Sequence, residues 1–197
     1  MNPIDALKKA FLLLRIKIKE QTQDGIKFLF YKSDKSDKLI VVFSAFSDIG
    51  KPPRYNYIET LTTIDANKLF ILDDYGYKKS GSYYLGENGV FFLPPKICRL
   101  IKQMKQKTKA TTVFTLGSSK GGTAAIYYGI LASAEYILAG APQFFLGDYL
   151  DTEKHHPILK GIMGSNDDVA VSKLNSVLMT TITNHAGDIR RPVIFLH

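Results

Sequence analysis

The sequence predicts an α/β domain built on a mostly parallel sheet with helices on both faces. Three observations carry this. Apolar, β-rich runs recur along the chain; segments of helical periodicity lie between them; and one strand passes straight into an Ala-rich helix through Gly117-Ser118-Ser119-Lys120-Gly121. At 197 residues the chain can bury one sizeable core and is too short for two ordinary domains, so residues 1–197 are expected to form a single domain. Hydrophobic residues at 45% and charged residues at 22% are the balance of a globular protein and exclude a disordered one.

The elements follow in order. Asn2 before Pro3 reads as an N-cap with proline at the first helical position, opening a basic amphipathic helical segment that runs to about Lys19. Ile26 to Tyr31 and Leu39 to Ala45 are strand-like and separated by a polar Lys/Ser/Asp stretch, which predicts an antiparallel hairpin. The second of these is apolar nearly throughout, as in a buried central strand. Leu69 to Leu72 is a strand ending in Asp73-Asp74-Tyr75-Gly76, and Gly81 to Gly89 reads as a loop. Pro94-Pro95 opens a helix whose apolar positions, Ile97, Leu100, Ile101 and Met104, share one face. Thr111 to Leu116 is the strand before the glycine-serine turn, and Gly121 to Ala132 is a largely buried helix. Tyr136 to Ala139 is a short strand, Gln143 to about Gly164 an irregular region, Val169 to Thr183 a helix, and Pro192 to Leu196 a last strand. Residues 143–186 are where a lid or insert is expected.

A formal net charge of +8 favours anionic partners without choosing among them. The one cysteine, Cys98, rules out an internal disulfide framework and a Cys-rich metal site, and fits a reducing, cytoplasmic setting. Phe11 to Leu14 is too short for a membrane span and lacks the pattern of a signal peptide. No metal site, no bound cofactor and no nucleic-acid partner is expected.

Gly117-Ser118-Ser119-Lys120-Gly121 matches G-x-S-x-G, the nucleophile elbow, with the strand before it and the helix after it that the motif requires. Small residues flank such a serine because side chains two positions away would collide in the strained turn. Two other readings stand beside it. One is a phosphate-cradling loop, against which the spacing speaks: a P-loop needs G-x-x-x-x-G-K-[ST], and here Lys120 precedes the glycine pair. The other is a structural glycine-serine turn. Under the elbow reading Ser119 is the nucleophile and the Lys120 N–H one oxyanion donor. Phe43-Ser44-Ala45-Phe46-Ser47, following an earlier central strand, offers the Phe46 N–H as the second, with Phe46 as a plain core aromatic the alternative.

Phe43 to Phe46, Tyr55-Asn56-Tyr57-Ile58, Gly81-Ser82-Tyr83-Tyr84, Leu116 to Gly122, and Ala141-Pro142-Gln143 followed by Gly147-Asp148-Tyr149 together resemble a known family. It is that of bacterial capsular-polysaccharide O-acetyltransferases of α/β-hydrolase fold, with related capsule-biosynthesis proteins of the XcbB/CpsF type. The resemblance spans about residues 26 to 197, and Leu-Gly-Ser-Ser-Lys-Gly-Gly is its most specific piece. It implies an α/β-hydrolase-like fold and transfer of acetyl from acetyl-CoA to a sugar hydroxyl of an anionic glycan, through an acetyl-Ser119 intermediate. Tyr55, Tyr57, Tyr84 and Gln143 fall in the family-like segments and are nominated for substrate contacts; Arg54 is nominated on charge alone.

A serine nucleophile of this fold is followed by an acid and then a histidine. In the family the acid lies just after the strand that Pro192 to Leu196 resembles and the histidine later still, so the sequence reads as truncated at its C-terminal end. His155, His156 and His185 with Asp188 read as surface residues, and His197 ends a strand on the catalytic side without qualifying as the base. Asp73, Asp74, Glu87 and Asp148 are the carboxylates nearest strand ends or motifs, and Asp73 and Asp74 are expected to be solvated loop acids. A carboxylesterase or deacetylase with the same nucleophile, and a non-catalytic glycan-binding or assembly protein, are the competing functions.

Overall fold

The computed structural model of the chain describes residues 14, 16–47, 50–187 and 192–197. The expected N-cap at Asn2-Pro3 and Asp188 lie outside them, while residues 16–19 are helical. Among the described residues seven strands form one sheet: β1 (Gln21–Gln23), β2 (Ile26–Tyr31), β3 (Lys38–Phe43), β4 (Asn67–Ile71), β5 (Thr112–Ser118), β6 (Tyr136–Gly140) and β7 (Val193–Leu196). Their order is β1-β2-β4-β3-β5-β6-β7. From β4 to β7 all pairings are parallel; β1 and β2 add on antiparallel.

The expected hairpin between 26–31 and 39–45 is not formed. β4 lies between them, antiparallel to β2 and parallel to β3. The hairpin is instead β1–β2, closed by Asp24-Gly25 with φ of 51° and 84°. Two successive positive φ values match the right-handed twist of the flanking strands, which is why Asp-Gly suits a two-residue hairpin turn. β3, apolar on both faces, gains a paired neighbour on each side and becomes a buried central strand.

After the helical residues 16–19, the described α-helices are α1 (Leu93–Thr108), α2 (Lys120–Leu131), α3 (Leu146–Leu150), α4 (His156–Met163) and α5 (Asp168–Asn184). α1 starts with prolines in its first turn and ends on Lys109 in the left-handed region. It buries Leu93, Ile97, Leu100, Ile101 and Met104. Each contributes on the order of 1.5–3 kcal/mol by leaving water. α1 and α2 cover one sheet face with Val41, Phe43 and Val113; Ile40, Val42 and Phe70 face the other way, under Leu61, Ile58 and Ile16. The latter face continues over β6 and β7, where Leu138 and Phe195 are exposed.

Residues 143–164, expected to be irregular, hold α3 and α4. Pro157 in the first turn of α4 and Gly164 at φ 81° after its end are the start and stop signals. With α5, whose N-cap Asp167 accepts the Ala170 N–H, these helices enclose a second core. Leu150, Leu159 and Leu174 are fully buried there, against Tyr83, Leu85 and Phe46. No described helix is long and apolar enough to cross a membrane.

Candidate active site

The glycine-serine turn lies at the carboxyl end of the central strand β5, with Gly117 paired to Phe43 of β3 on one side and Ala139 of β6 on the other. Crevices at this end of a parallel sheet are where such folds bind ligands. Ser119 is the single residue between β5 and α2, at φ 52° and ψ −123°. That is a strained backbone for a residue with a side chain, and strain of this kind clusters at functional sites. Its N–H donates to Gly140 O at 2.8 Å, and its carbonyl accepts the Thr123 N–H at 3.0 Å.

The flanking glycines are sterically obligatory. A Cβ at Gly117 would fall 2.2 Å from Gly121 O, and one at Gly121 2.4 Å from Phe43 O. Backbone thus packs on backbone where strand, elbow and helix meet, and the hydroxyl is carried out over the strand ends.

The loop after β3 is organised around its amides. Ser44 N–H donates to the Tyr84 hydroxyl at 2.5 Å, and Ala45 N–H to Asn56 Oδ1 at 2.8 Å. The next amide, Phe46, has no acceptor among the described residues, and neither has the Lys120 N–H in the first turn of α2. Unpaired N–H groups at the start of a helix carry partial positive charge and suit a developing anion.

Lys120 is more than an amide. Its side chain is buried and its Nζ lies 2.9 Å from Asp73 Oδ2, which is buried as well. Asp73, expected to be a solvated loop acid, is corrected: it accepts the N–H of Ser82 at 2.7 Å and of Tyr84 at 3.0 Å, and the Ser82 hydroxyl at 3.2 Å. Burial pulls the Lys120 ammonium below its ordinary value, and Asp73 opposes that shift. Asp74 points the other way and pairs with Lys27 at 2.7 Å, a hydrogen bond that raises the lysine above its usual range. The available signal was the setting of Lys120 itself, since a lysine opening a buried helix demands a counter-ion.

Of the nominated contact residues, Gln143 is brought to the elbow. Its Nε2 donates to Ala141 O at 3.0 Å and lies 3.4 Å from Ser119 Oγ, while its N–H donates to Thr123 Oγ1 at 2.8 Å. Tyr57 lines an open depression of about 580 Å³ together with Gly117, Ser118, Leu138 and His197. Arg54, nearby in sequence, is exposed. Tyr55 commits its hydroxyl to Glu20 at 2.7 Å. Tyr84 is a further correction: it has no exposure to solvent and supports the Ser44 amide from inside the core. Glu87 accepts the Gly76 N–H, and Asp148 the Asn175 side-chain amide, so both hold loops or helices together.

The histidines divide similarly. His156 pairs with Asp151 at 2.9 Å, His155 stacks on Tyr149, and His185 bonds to Thr181 O. His197 holds the end of β7 beside β6 through its backbone. Among the described residues no histidine is hydrogen-bonded to Ser119.

A mostly parallel sheet with a serine turn between strand and helix at its carboxyl end defines an α/β-hydrolase-like fold, one shared by acyl-transfer and esterase enzymes. No protein-family profile matches the chain, and no curated protein does. Among solved structures it is similar to the capsule O-acetyltransferase of Neisseria meningitidis serogroup A, solved in complex with caged gadolinium. Identity is 26% and the TM-score 0.72, over 90% of this chain and 71% of that one. A mutant of that enzyme in complex with CoA matches at 22% identity and TM-score 0.60, over 90% and 84% of the two chains. The fold is shared with Est1E of Butyrivibrio proteoclasticus, bound to ferulic acid, at 16% identity and TM-score 0.54 over 90% and 76%. The chain thus resembles the bacterial capsule O-acetyltransferases of α/β-hydrolase fold, as its motifs indicate.

Proposed function

We propose that the chain transfers an acetyl group from acetyl-CoA to a hydroxyl of an anionic bacterial surface polysaccharide, by way of an acetyl ester on Ser119. The observation that carries this is Ser119 held at φ 52° on the elbow, with the Phe46 and Lys120 amides, which have no acceptor among the described residues, on the two adjoining segments. In this reading Ser119 Oγ bonds to the thioester carbonyl carbon while the two amides receive the developing negative charge; the C–S bond then breaks and the serine proton passes to the departing sulfur, so that CoA leaves as its thiol. Gln143, with its amide near Oγ, orients the hydroxyl. The sugar hydroxyl oxygen then attacks the acetyl ester, the Oγ–acyl bond breaks, and the sugar's proton returns to Ser119 Oγ. The complex of CoA with a structural neighbour supports the donor, and the net charge of +8 suits both an anionic donor and an anionic acceptor. The setting proposed is the cytoplasm, with residues 1–197 forming one domain in which residues 143–186 are a lid or insert region.

Intact-mass measurement after incubation with acetyl-CoA tests the reading. The expected result is one acetyl group that is absent from Ser119→Ala, and that moves to glycan when an acidic capsular polysaccharide is added. Release to water alone, with 4-nitrophenyl acetate also hydrolysed, would mark an esterase. The absence of a histidine on Ser119 among the described residues favours a second reading, a glycan-binding protein that keeps the fold without turnover; no adduct under any donor would decide for it.

A further inference from the structure

Lys120 is used twice. Its N–H lies in the first turn of α2, while its side chain runs beneath the elbow to Asp73, with side-chain exposures of 1% and 0% for the pair. Around the ammonium stand the ring faces of Tyr84 and Phe46, their centroids 4.7 and 5.3 Å from Nζ. On another side is Gly81, where any Cβ would fall 2.3 Å from Nζ. The Asp73 carboxylate also gathers the Ser82 and Tyr84 amides. A single carboxylate therefore ties the end of β4 to the 81–84 turn and to the elbow. The turn carries the constraint further, because the Tyr84 hydroxyl accepts the Ser44 N–H at the root of the loop that bears Phe46.

We propose that the buried Asp73–Lys120 pair is the positioning device of the oxyanion site: it sets the spacing between the Phe46 and Lys120 N–H groups. It acts on one through the lysine's own side chain and on the other through Tyr84 and the Phe46 ring. The inference rests on reading Ser119 as the nucleophile. Both charged groups are sealed beneath the elbow, so they are positioning residues and not catalytic ones. A hydrogen-bonded ion pair has a defined length and direction, whereas apolar side chains in the same space could slide past one another. A misplaced amide weakens the hold on transition-state charge and leaves ground-state contacts with the donor intact, so the effect falls on rate and not on binding.

The test compares the whole chain with Lys120→Met, Asp73→Asn and the double variant Asp73→Asn/Lys120→Met. Two quantities are read: the rate of Ser119 acetylation against acetyl-CoA concentration, and the backbone ¹⁵N order parameters of Phe46 and Lys120. Folded variants are expected to acetylate about 30- to 100-fold more slowly at saturating donor. Half-saturation stays within about twofold, and the Phe46 order parameter falls from the rigid range near ~0.85 toward ~0.6. The double variant leaves no buried charge unpaired and serves where a single variant does not fold. If it acetylates at the wild-type rate with Phe46 as rigid as before, the proposal is overturned. A wild-type chain that takes no acetyl group counts against the nucleophile reading; the order parameters then decide the positioning claim alone, and unchanged values in the variants overturn it.

Discussion

The hydroxyl of Tyr84 accepts the Ser44 N–H at 2.5 Å, inside the core and out of reach of solvent. It also donates toward Ile71 O at 3.1 Å, so it joins the ends of β3 and β4. Tyr84→Phe keeps the ring and orphans a buried amide, an expected cost of about 1–3 kcal/mol. Thermal denaturation should show it, together with slower acetylation of Ser119. Tyr57→Phe, on the open depression, should change stability by no more than about 0.5 kcal/mol.

Ser119 bears backbone strain on the order of 1–3 kcal/mol. Ser119→Gly relieves that strain and costs about 0.5–1 kcal/mol of chain entropy. A net gain of about 1 kcal/mol would raise Tm by roughly 2–4 °C, while acetylation disappears. A lower Tm for the glycine variant would contradict the strain assignment.

Gly121→Ala puts a methyl group 2.4 Å from Phe43 O, a backbone atom with no room to retreat. Overpacking of this kind costs typically 1–3 kcal/mol. Because the elbow itself must shift to relieve it, acetylation should fall alongside Tm. The same substitution at Gly187, where no described residue lies within 4 Å, should be silent in both assays.

Burial pushes the Cys98 thiol up from about 9 to about 11. At neutral pH its thiolate population, and so its alkylation by iodoacetamide, should be about 100-fold below that of an unburied thiol. Reaction should accelerate only as pH climbs toward 11. Stability linked to this thiol is complete below pH 9, the unfolded value, and is lost as pH rises through the folded value near 11. Rapid labelling at pH 7.5 in the folded state would refute the assignment.

What the sequence disclosed was mostly local. The elbow, the Pro94-Pro95 start of α1 and the apolar β3 are legible because turn sterics, proline geometry and burial on two faces act within a few residues. The insertion of β4 between β2 and β3 pairs Ile71 with Phe28 and Asn67 with Leu39, partners distant in the chain for which neither strand carries a mark; the expected hairpin passed over the Asp24-Gly25 turn that closes the true one. Asp73 was misjudged because adjacent carboxylates look alike in sequence, yet one points into the core and the other out to Lys27. Tyr84 drew attention for its place in a family-like segment, and only the fold shows that place to be interior. The depth of α3 and α4 escaped notice because short helices owe their stability to packing more than to propensity.

The ion pair beneath the elbow also bears on heredity. Losing either partner strands a buried charge, a change worth about 3–5 kcal/mol, comparable to a large part of the stability of a typical domain. Drift at position 73 is therefore blocked unless position 120 changes with it, and lineages that abandon the pair are expected to have replaced both residues together. In descendants of this chain the two codons, 47 apart, should behave as one inherited character.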